Sequence, residues 1–198
     1  MHQLVIASNN PGKLRELKAL LQPAGYDLIT QGELSVPECA EPHHTFIENA
    51  LAKARHATQL TGLPAIADDS GICVQALLGA PGVHSARYAG EPLSDARNNE
   101  KLLANLSHLS LPSQRRAHYI CLLVYVRHAD DPEPIIADGC WHGRILLQPR
   151  GDGGFGYDPL FWLPRLKKSA AELSASEKNQ ISHRAMALRQ LAVRLQRS

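Results

Sequence analysis

The chain has 198 residues, 44% of them hydrophobic and 20% charged, with a formal net charge of +2. That length suits one well-packed domain, or one domain with two lobes around a cleft, and the small charge argues against a nucleic-acid coat or a membrane patch. The longest apolar stretch, Ile120 to Val126, is far too short to span a bilayer, and no basic leader precedes Leu4–Ala7, so the expected location is cytoplasmic.

Gln3 to Ala7 reads as a short strand, and Ser8-Asn9-Asn10-Pro11-Gly12 as a tight turn. Lys13 to Leu21 carries Leu14, Leu17, Leu20 and Leu21 on one helical face, and Pro23 and Gly25 end it. Tyr26 to Thr30 is a second strand, giving the β-loop-α-β opening of an α/β domain. Thr45-Phe46-Ile47-Glu48 matches a capping box, and an Ala-rich helix runs from it to Thr61, stopped by Gly62 and Pro64. A strand from Ala65 ends at Asp68 or Asp69. Ser70-Gly71 then supplies a turn, and Ile72 to Val74 is a separate extended piece.

Ala80-Pro81-Gly82 marks a loop, and Ser94 caps a helix through Leu106. Ala117 to Val126 and Ile135 to Leu147 are strand-rich, separated by Asp130-Asp131-Pro132. Pro149 to Pro159 holds four glycines and forms a shaped loop before a strand at Leu160 to Leu163. Ser174 with Glu177 opens a helical turn, and Ser182 to Gln196 is a C-terminal amphipathic helix. No internal repeat or long linker interrupts residues 1–198, which are read as a single domain.

Two adjacent carboxylates, Asp68 and Asp69, at the end of an apolar run repel each other and resist desolvation. They call for a cation, a hydrogen-bond cage, or a raised pKa on one member. A strand end capped by an aspartate would explain the pair equally simply. Ser8 to Lys13 joins a strand to a helix N-terminus, where amide N–H groups and the helix dipole favour an anion, although the pattern is not a Walker loop. Lys53 lies one turn beyond Asn49 on its helix, and either Glu38 or Glu41 could join the aspartates as a hard oxygen ligand. Such a carboxylate cluster suits Mg²⁺ or Mn²⁺ rather than zinc.

Phe155 or Tyr157, among the glycines, offers a stacking face for a base, and Arg184 a fork of donors for a keto oxygen. The four cysteines show no Cys-x-x-Cys and read as reduced thiols. The ten histidines show no metal-ligand spacing, and His43-His44 reads as an exposed loop.

Six stretches together resemble the inosine triphosphate pyrophosphatase family, in that family's order and over nearly the whole chain. They are Ser8–Lys13, Thr45–Ala50 with Lys53, Ala67–Gly71, Gly82–Tyr88, Gly153–Pro159 and Ser182–Arg184. The resemblance implies a mixed central sheet flanked by helices, with two lobes around an active-site cleft. It also implies a homodimer that hydrolyses ITP, dITP and XTP to the monophosphate and pyrophosphate with Mg²⁺, Mn²⁺ being a possible substitute. Neither nucleic acid nor membrane is an expected partner.

By that resemblance Ser8, Asn9, Asn10, Pro11, Gly12, Lys13 and Lys53 bind the phosphates. Asp69 is the proton acceptor and a metal residue, Glu41 a metal residue, and Asp68 a support for the metal water. Ser70, Phe155, Gly156, Tyr157, Asp158, Lys178, His183 and Arg184 touch the substrate or its base. Two positions depart from the family pattern that the resemblance implies: His43 stands where relatives often carry glycine, and Ala185 where glycine is common. The first leaves Glu38 and Glu41 both open as the metal-site glutamate; the second suits a helix better than glycine does.

The chemistry agrees with these roles. Water attack on the α-phosphorus needs a positioned base and charge neutralisation on the bridging oxygens. Two other classes compete. A phosphatase or kinase with a nucleophilic aspartate would form an acyl phosphate, yet the Asp-x-Asp spacing is missing. A nucleotide sensor would bind without turnover, yet a binder of polyanions gains little from added carboxylates.

Overall fold

The computed structural model describes residues 2–196. Among them, seven strands form one mixed sheet in the order β2-β1-β3-β4-β5-β6-β7. In chain order the elements are β1 (His2–Ile6), α1 (Pro11–Leu21), β2 (Tyr26–Thr30), α2 (Phe46–Thr61), β3 (Ala65–Val74) and α3 (Asp95–Asn105). Then come β4 (Arg116–Val126), β5 (Ile135–Ile145), β6 (Phe161–Leu163), β7 (Lys168–Ser169), α4 (Ala175–Ile181) and α5 (His183–Leu195). β1 runs parallel to β2 and β3, whereas β6 is antiparallel to β5 and β7. This is the mixed sheet with helices that the sequence led us to expect.

The punctuating residues act where chain chemistry requires. Asn10 caps α1 by accepting from Lys13 N at 3.0 Å, with Pro11 at the first helical position, where no amide donor is needed. Gly62 ends α2 in the left-handed region at φ 69°, which a side chain would resist. The α4 box forms as read: Glu177 N donates to Ser174 Oγ and Ser174 N to Glu177 Oε2. The side chain of Leu20, assigned above to the apolar face of α1, lies outside the described residues; Leu17 and Leu21 of that face are buried.

One expectation fails in an instructive way. Ser70-Gly71 does not turn; β3 runs unbroken for ten residues, nearly all of them buried. Serine and glycine favour turns only where the chain is free to leave the sheet. Here the strand lies between β1 and β4 in the order of the sheet, and Ile72 N is further held by Ser85 Oγ at 2.9 Å.

The chain divides into two compact units, with the division falling inside β3, β4 and β5. The first unit comprises the residues up to Asp69, Cys121–Gly139 and those from His183 onward. On one face of its strands Leu4, Ile6, Ile66, Cys121, Leu123 and Ala137 pack against Leu17 and Leu21 of α1 and against Ala187, Leu188 and Leu191 of α5. On the opposite face Val5, Ala7, Ala65, Ala67, Val124 and Val126 meet Ala50, Ala54 and Ala57 of α2. Small residues at that helical spacing let α2 lie close to the strands. Each face is therefore covered by different helices, and strand alternation decides which helix a given side chain meets.

Gly139 is needed for the same packing. A Cβ there would collide with the His183 carbonyl and come within 2.8 Å of Ala187 N and Met186 Cβ, so α5 would have to shift. Gly139→Ala should cost about 1–3 kcal/mol and lower the thermal midpoint by several degrees. A circular-dichroism melt indistinguishable from wild type would show that α5 has slack.

The second unit, Ser70–Ile120 with Cys140–Ser182, is built around Tyr119, Trp141 and Phe161, whose ring centroids lie 4.7–6.4 Å apart. Its buried Arg115 donates to four backbone carbonyls, those of Leu106, Leu109, Ile145 and Leu146, at 2.7–3.0 Å. One guanidinium fork thereby satisfies a cluster of carbonyls after α3 and at the end of β5. No helix among the described residues is long and apolar enough to cross a membrane.

Candidate active site

In an unbroken strand successive side chains point to opposite faces, so Asp68 and Asp69 part company. Asp68 follows Ile66 onto the α1/α5 face, and Asp69 follows Ala67 onto the α2 face. Two adjacent anions that would repel at a turn are thus separated by the sheet itself, and each finds its own cation.

Asp68 is fully enclosed. Its Oδ1 pairs with Lys13 Nζ of α1 at 2.5 Å, and its Oδ2 accepts from Arg184 Nε of α5 at 2.8 Å and from Cys121 Sγ of β4 at 3.0 Å. Burial alone would raise this carboxyl, but Arg184 and Lys13 outweigh it and hold it well below the ordinary carboxylate range. Arg184 is itself buried and also pairs with Glu16 of α1. Burial opposes its charge, yet Asp68 and Glu16 hold the guanidinium more firmly protonated than usual. Cys121, buried beside the anion, has its thiol pushed well up by burial and then by Asp68, and so stays a donor.

Asp69 stands in a different setting. Its Oδ1 pairs with Lys53 Nζ at 3.1 Å, and the same ammonium reaches Glu41 Oε1 at 3.2 Å. Its other oxygen, Oδ2, is buried with no hydrogen-bond partner among the described residues. Burial pushes the Asp69 carboxyl up; Lys53 and Lys13 counter this only in part, while Glu41 adds to the rise. Burial disfavours the Lys53 ammonium, but Asp69, then Glu41 and Asp68, raise its pKa on balance. A buried carboxylate oxygen without a partner, beside a second carboxylate, is a donor set for a hard divalent cation. Glu41 and Asp69 fit Mg²⁺; Asp68, with both oxygens engaged by cations and a thiol, meets α1 and α5 instead.

The open choice between the two glutamates is also addressed by contacts. Glu38 accepts from Asn9 Nδ2 at 3.0 Å, whereas Glu41 shares Lys53 with Asp69. The loop that carries Glu41 is pinned by buried Asn49, which accepts from His43 N at 3.1 Å and donates to His43 O at 3.3 Å. Only the backbone of His43 enters this clamp. Asn49 is visible in the sequence only as a helix residue near the box.

The expected anion cradle is partly engaged. Asn10 N donates to Ser8 Oγ at 3.3 Å and Lys13 N to Asn10 Oδ1. Asn9, Pro11 and Gly12 stand at or before the first turn of α1, with Asn9 and Pro11 exposed. His183, buried, begins α5 next to Arg184, and Ala185 is buried after them.

The second unit holds Ser70, half-buried in β3, and the glycine loop. There Asp158 is the organiser. Its Oδ2 accepts from Phe155 N at 2.9 Å and from Lys178 Nζ at 2.6 Å, and Lys178 sits 4.5 Å from the Phe155 ring centroid. Gly154 is in the left-handed region at φ 75°, and a Cβ there would strike the Asp158 carboxylate. Gly156 is tied to α3, its N–H donating to Asp95 Oδ2 at 2.6 Å and its carbonyl accepting from Asn99 at 2.8 Å. Tyr157 is buried, and its hydroxyl donates to the Ser85 carbonyl at 2.8 Å. Of the two aromatics proposed for stacking, Phe155 is therefore the better placed, because Tyr157 serves as a buried tether. Asp95, Asn99, Glu16 and Cys121 were not singled out as site residues from the sequence, since each looks locally like an ordinary surface or core residue; Ser85 entered only as part of the Gly82–Tyr88 stretch.

This chain is 64% identical to the dITP/XTP pyrophosphatase of Ralstonia nicotianae, over 98% of this chain and 97% of that one. It is 60% identical to the dITP/XTP pyrophosphatase of Nitrosomonas europaea, over 96% and 93%. A solved HAM1 protein from Coxiella burnetii matches with a TM-score of 0.92 at 46% identity over the whole of both chains. The Staphylococcus aureus Ham1 protein matches at 0.86 and 40% over 98% of each. With residues 4–194 matching the Ham1 family model besides, the chain belongs to the Ham1 family.

Proposed function

We propose that this protein hydrolyses dITP, XTP and ITP to the nucleoside monophosphate and pyrophosphate, with Mg²⁺ and as a homodimer. It is a nucleoside-triphosphate pyrophosphatase, a hydrolase of the nucleotide pool, as its identity to dITP/XTP pyrophosphatases indicates. The observation that supports the metal part of this reading is the Oδ2 of Asp69, buried without a hydrogen-bond partner among the described residues, beside Lys53 and Glu41.

Glu41 and Asp69 would hold Mg²⁺, which when bound neutralises charge on the phosphate oxygens and makes water a better nucleophile. Asp69 takes the proton as water attacks the α-phosphorus. Lys53 and Lys13 stabilise the departing pyrophosphate, and the loop Ser8 to Gly12 holds phosphate oxygens at the α1 N-terminus. Asp68 acts at one remove by fixing Lys13 and Arg184.

In the second unit Phe155 offers a face to a purine, and Lys178, oriented by Asp158, offers a donor to a keto oxygen. Inosine and xanthine carry that oxygen at C6, where adenine carries an amine. A donor facing a donor leaves a buried polar group unpaired, which costs about 1–3 kcal/mol, so ATP should be slower by roughly 5- to 150-fold. In the first unit His183 is proposed as a further donor, while Arg184, buried and paired with Asp68 and Glu16, is proposed to act by holding that cluster in place.

A panel of ITP, dITP, XTP, GTP and ATP, assayed for pyrophosphate with Mg²⁺ and with EDTA, tests this reading. Fast pyrophosphate release from the first three, lost with EDTA, is expected. Orthophosphate with a nucleoside diphosphate would overturn the cleavage site.

A further inference from the structure

Outside the site above, the second unit brings His118 of β4 beside Cys140 and His142, two residues apart on β5. Tyr119 of β4 and Trp141 of β5 turn inward to the cluster with Phe161. By strand alternation, His118, Cys140 and His142 face the other, less covered side of these neighbouring strands. His118 and Cys140 are half-buried and His142 is exposed.

The His118 and His142 ring centroids are 5.7 Å apart, and Cys140 Sγ lies 3.5 Å from His142 Nε2. One ligand atom from each of the three residues lies within 4.8 Å of the others. We propose that His118, Cys140 and His142 form a zinc-binding site, with the fourth position open to water.

The chemistry selects the ion. Two imidazoles and a thiolate are borderline-to-soft ligands that suit Zn²⁺ and not the hard Mg²⁺ of the carboxylate site. Bond lengths of about 2.0–2.1 Å to nitrogen and 2.3 Å to sulfur set tetrahedral ligand atoms about 3.3–3.6 Å apart. The ligand atoms now lie within 4.8 Å of one another, so reaching that spacing requires them to draw together by at most about 1.5 Å. Spacing along the chain gave no hint of zinc, because two ligands come from one strand and the third from its neighbour in the sheet. Coordination displaces the Cys140 thiol proton and ties β4 to β5.

The test uses the full-length, metal-stripped protein titrated with Co²⁺ and then Zn²⁺. One equivalent per chain should give tetrahedral cobalt absorption with a thiolate-to-cobalt charge-transfer band, and Zn²⁺ should bleach both. Cys140→Ser should abolish the charge-transfer band, and His142→Ala should weaken binding at least tenfold. Asp69→Asn, which disables the carboxylate site, should leave both bands in place. Absence of the charge-transfer band in the wild-type protein, or Cys140→Ser binding cobalt as wild type does, would overturn the proposal. Neither outcome depends on which nucleotide the enzyme hydrolyses.

Discussion

Asp69→Asn should lower kcat for pyrophosphate release by roughly 10²–10⁴-fold while leaving thermal stability unchanged or raised. The substitution keeps the shape of the side chain and removes its charge. Catalysis suffers because the proposed proton acceptor and an oxygen donor for the cation go together. Stability does not, because the fold gains little from this anion: one oxygen is buried without a hydrogen-bond partner among the described residues. Burial also pushes the carboxyl above its ordinary pKa despite Lys53 and Lys13.

A folded-state pKa raised in this way means that the stability advantage belongs to the protonated form. It is present at low pH and lost as pH rises through the folded pKa, so at neutral pH the ionised group works against folding. Lys53 still has Glu41 at 3.2 Å in the variant. Steady-state kinetics and a melt on the same preparation check both halves. Full activity would remove Asp69 from the chemistry, and a large drop in the melting midpoint would show that its charge holds the fold together. A group that costs stability while enabling chemistry is what an active site built for function over rigidity should contain.

Much of the frame could be read from local signals. β2 and α2 were bounded to the residue, because Pro23, Gly25, Thr45, Gly62 and Pro64 act over one or two positions. What local signals misjudged was Ser70-Gly71, where tertiary cover on the strand overrode turn preference. That one misreading hid the main feature of the site. Without the turn, simple alternation sends Asp68 to α1 and α5 and Asp69 to α2, and their different environments follow from which helix covers which face. Partners drawn from distant segments were beyond the sequence for another reason. Glu16 and Cys121 carry no local mark of their contact with Arg184 or Asp68, since the sheet order that joins them is a property of the whole chain.

The larger effect on stability should come from the other aspartate. Asp68→Ala removes the carboxylate that Lys13, Arg184 and Cys121 all face, and takes from the buried Arg184 guanidinium one of the carboxylates it pairs with, Glu16 being another. Breaking a buried pair from one side costs about 3–5 kcal/mol, because the surviving charge keeps its desolvation cost. For a chain of this size that corresponds to a melting midpoint lower by about 6–20 °C. Activity should fall as well, since Lys13 loses the group that fixes it.

The pH dependence separates this charge effect from a mere cavity. The Asp68 pKa is depressed in the folded state, despite its burial, by Arg184 and Lys13. Its stabilisation is therefore complete above the unfolded carboxylate value of about 4 and drains away as pH falls through the folded value. Wild type should lose stability steeply on acidification below about pH 4, and Asp68→Asn, which keeps the volume, should show a shallower acid limb. Urea unfolding midpoints across that range make the comparison. Parallel acid limbs for the two proteins would mean that Asp68 is held by shape and not by its charge.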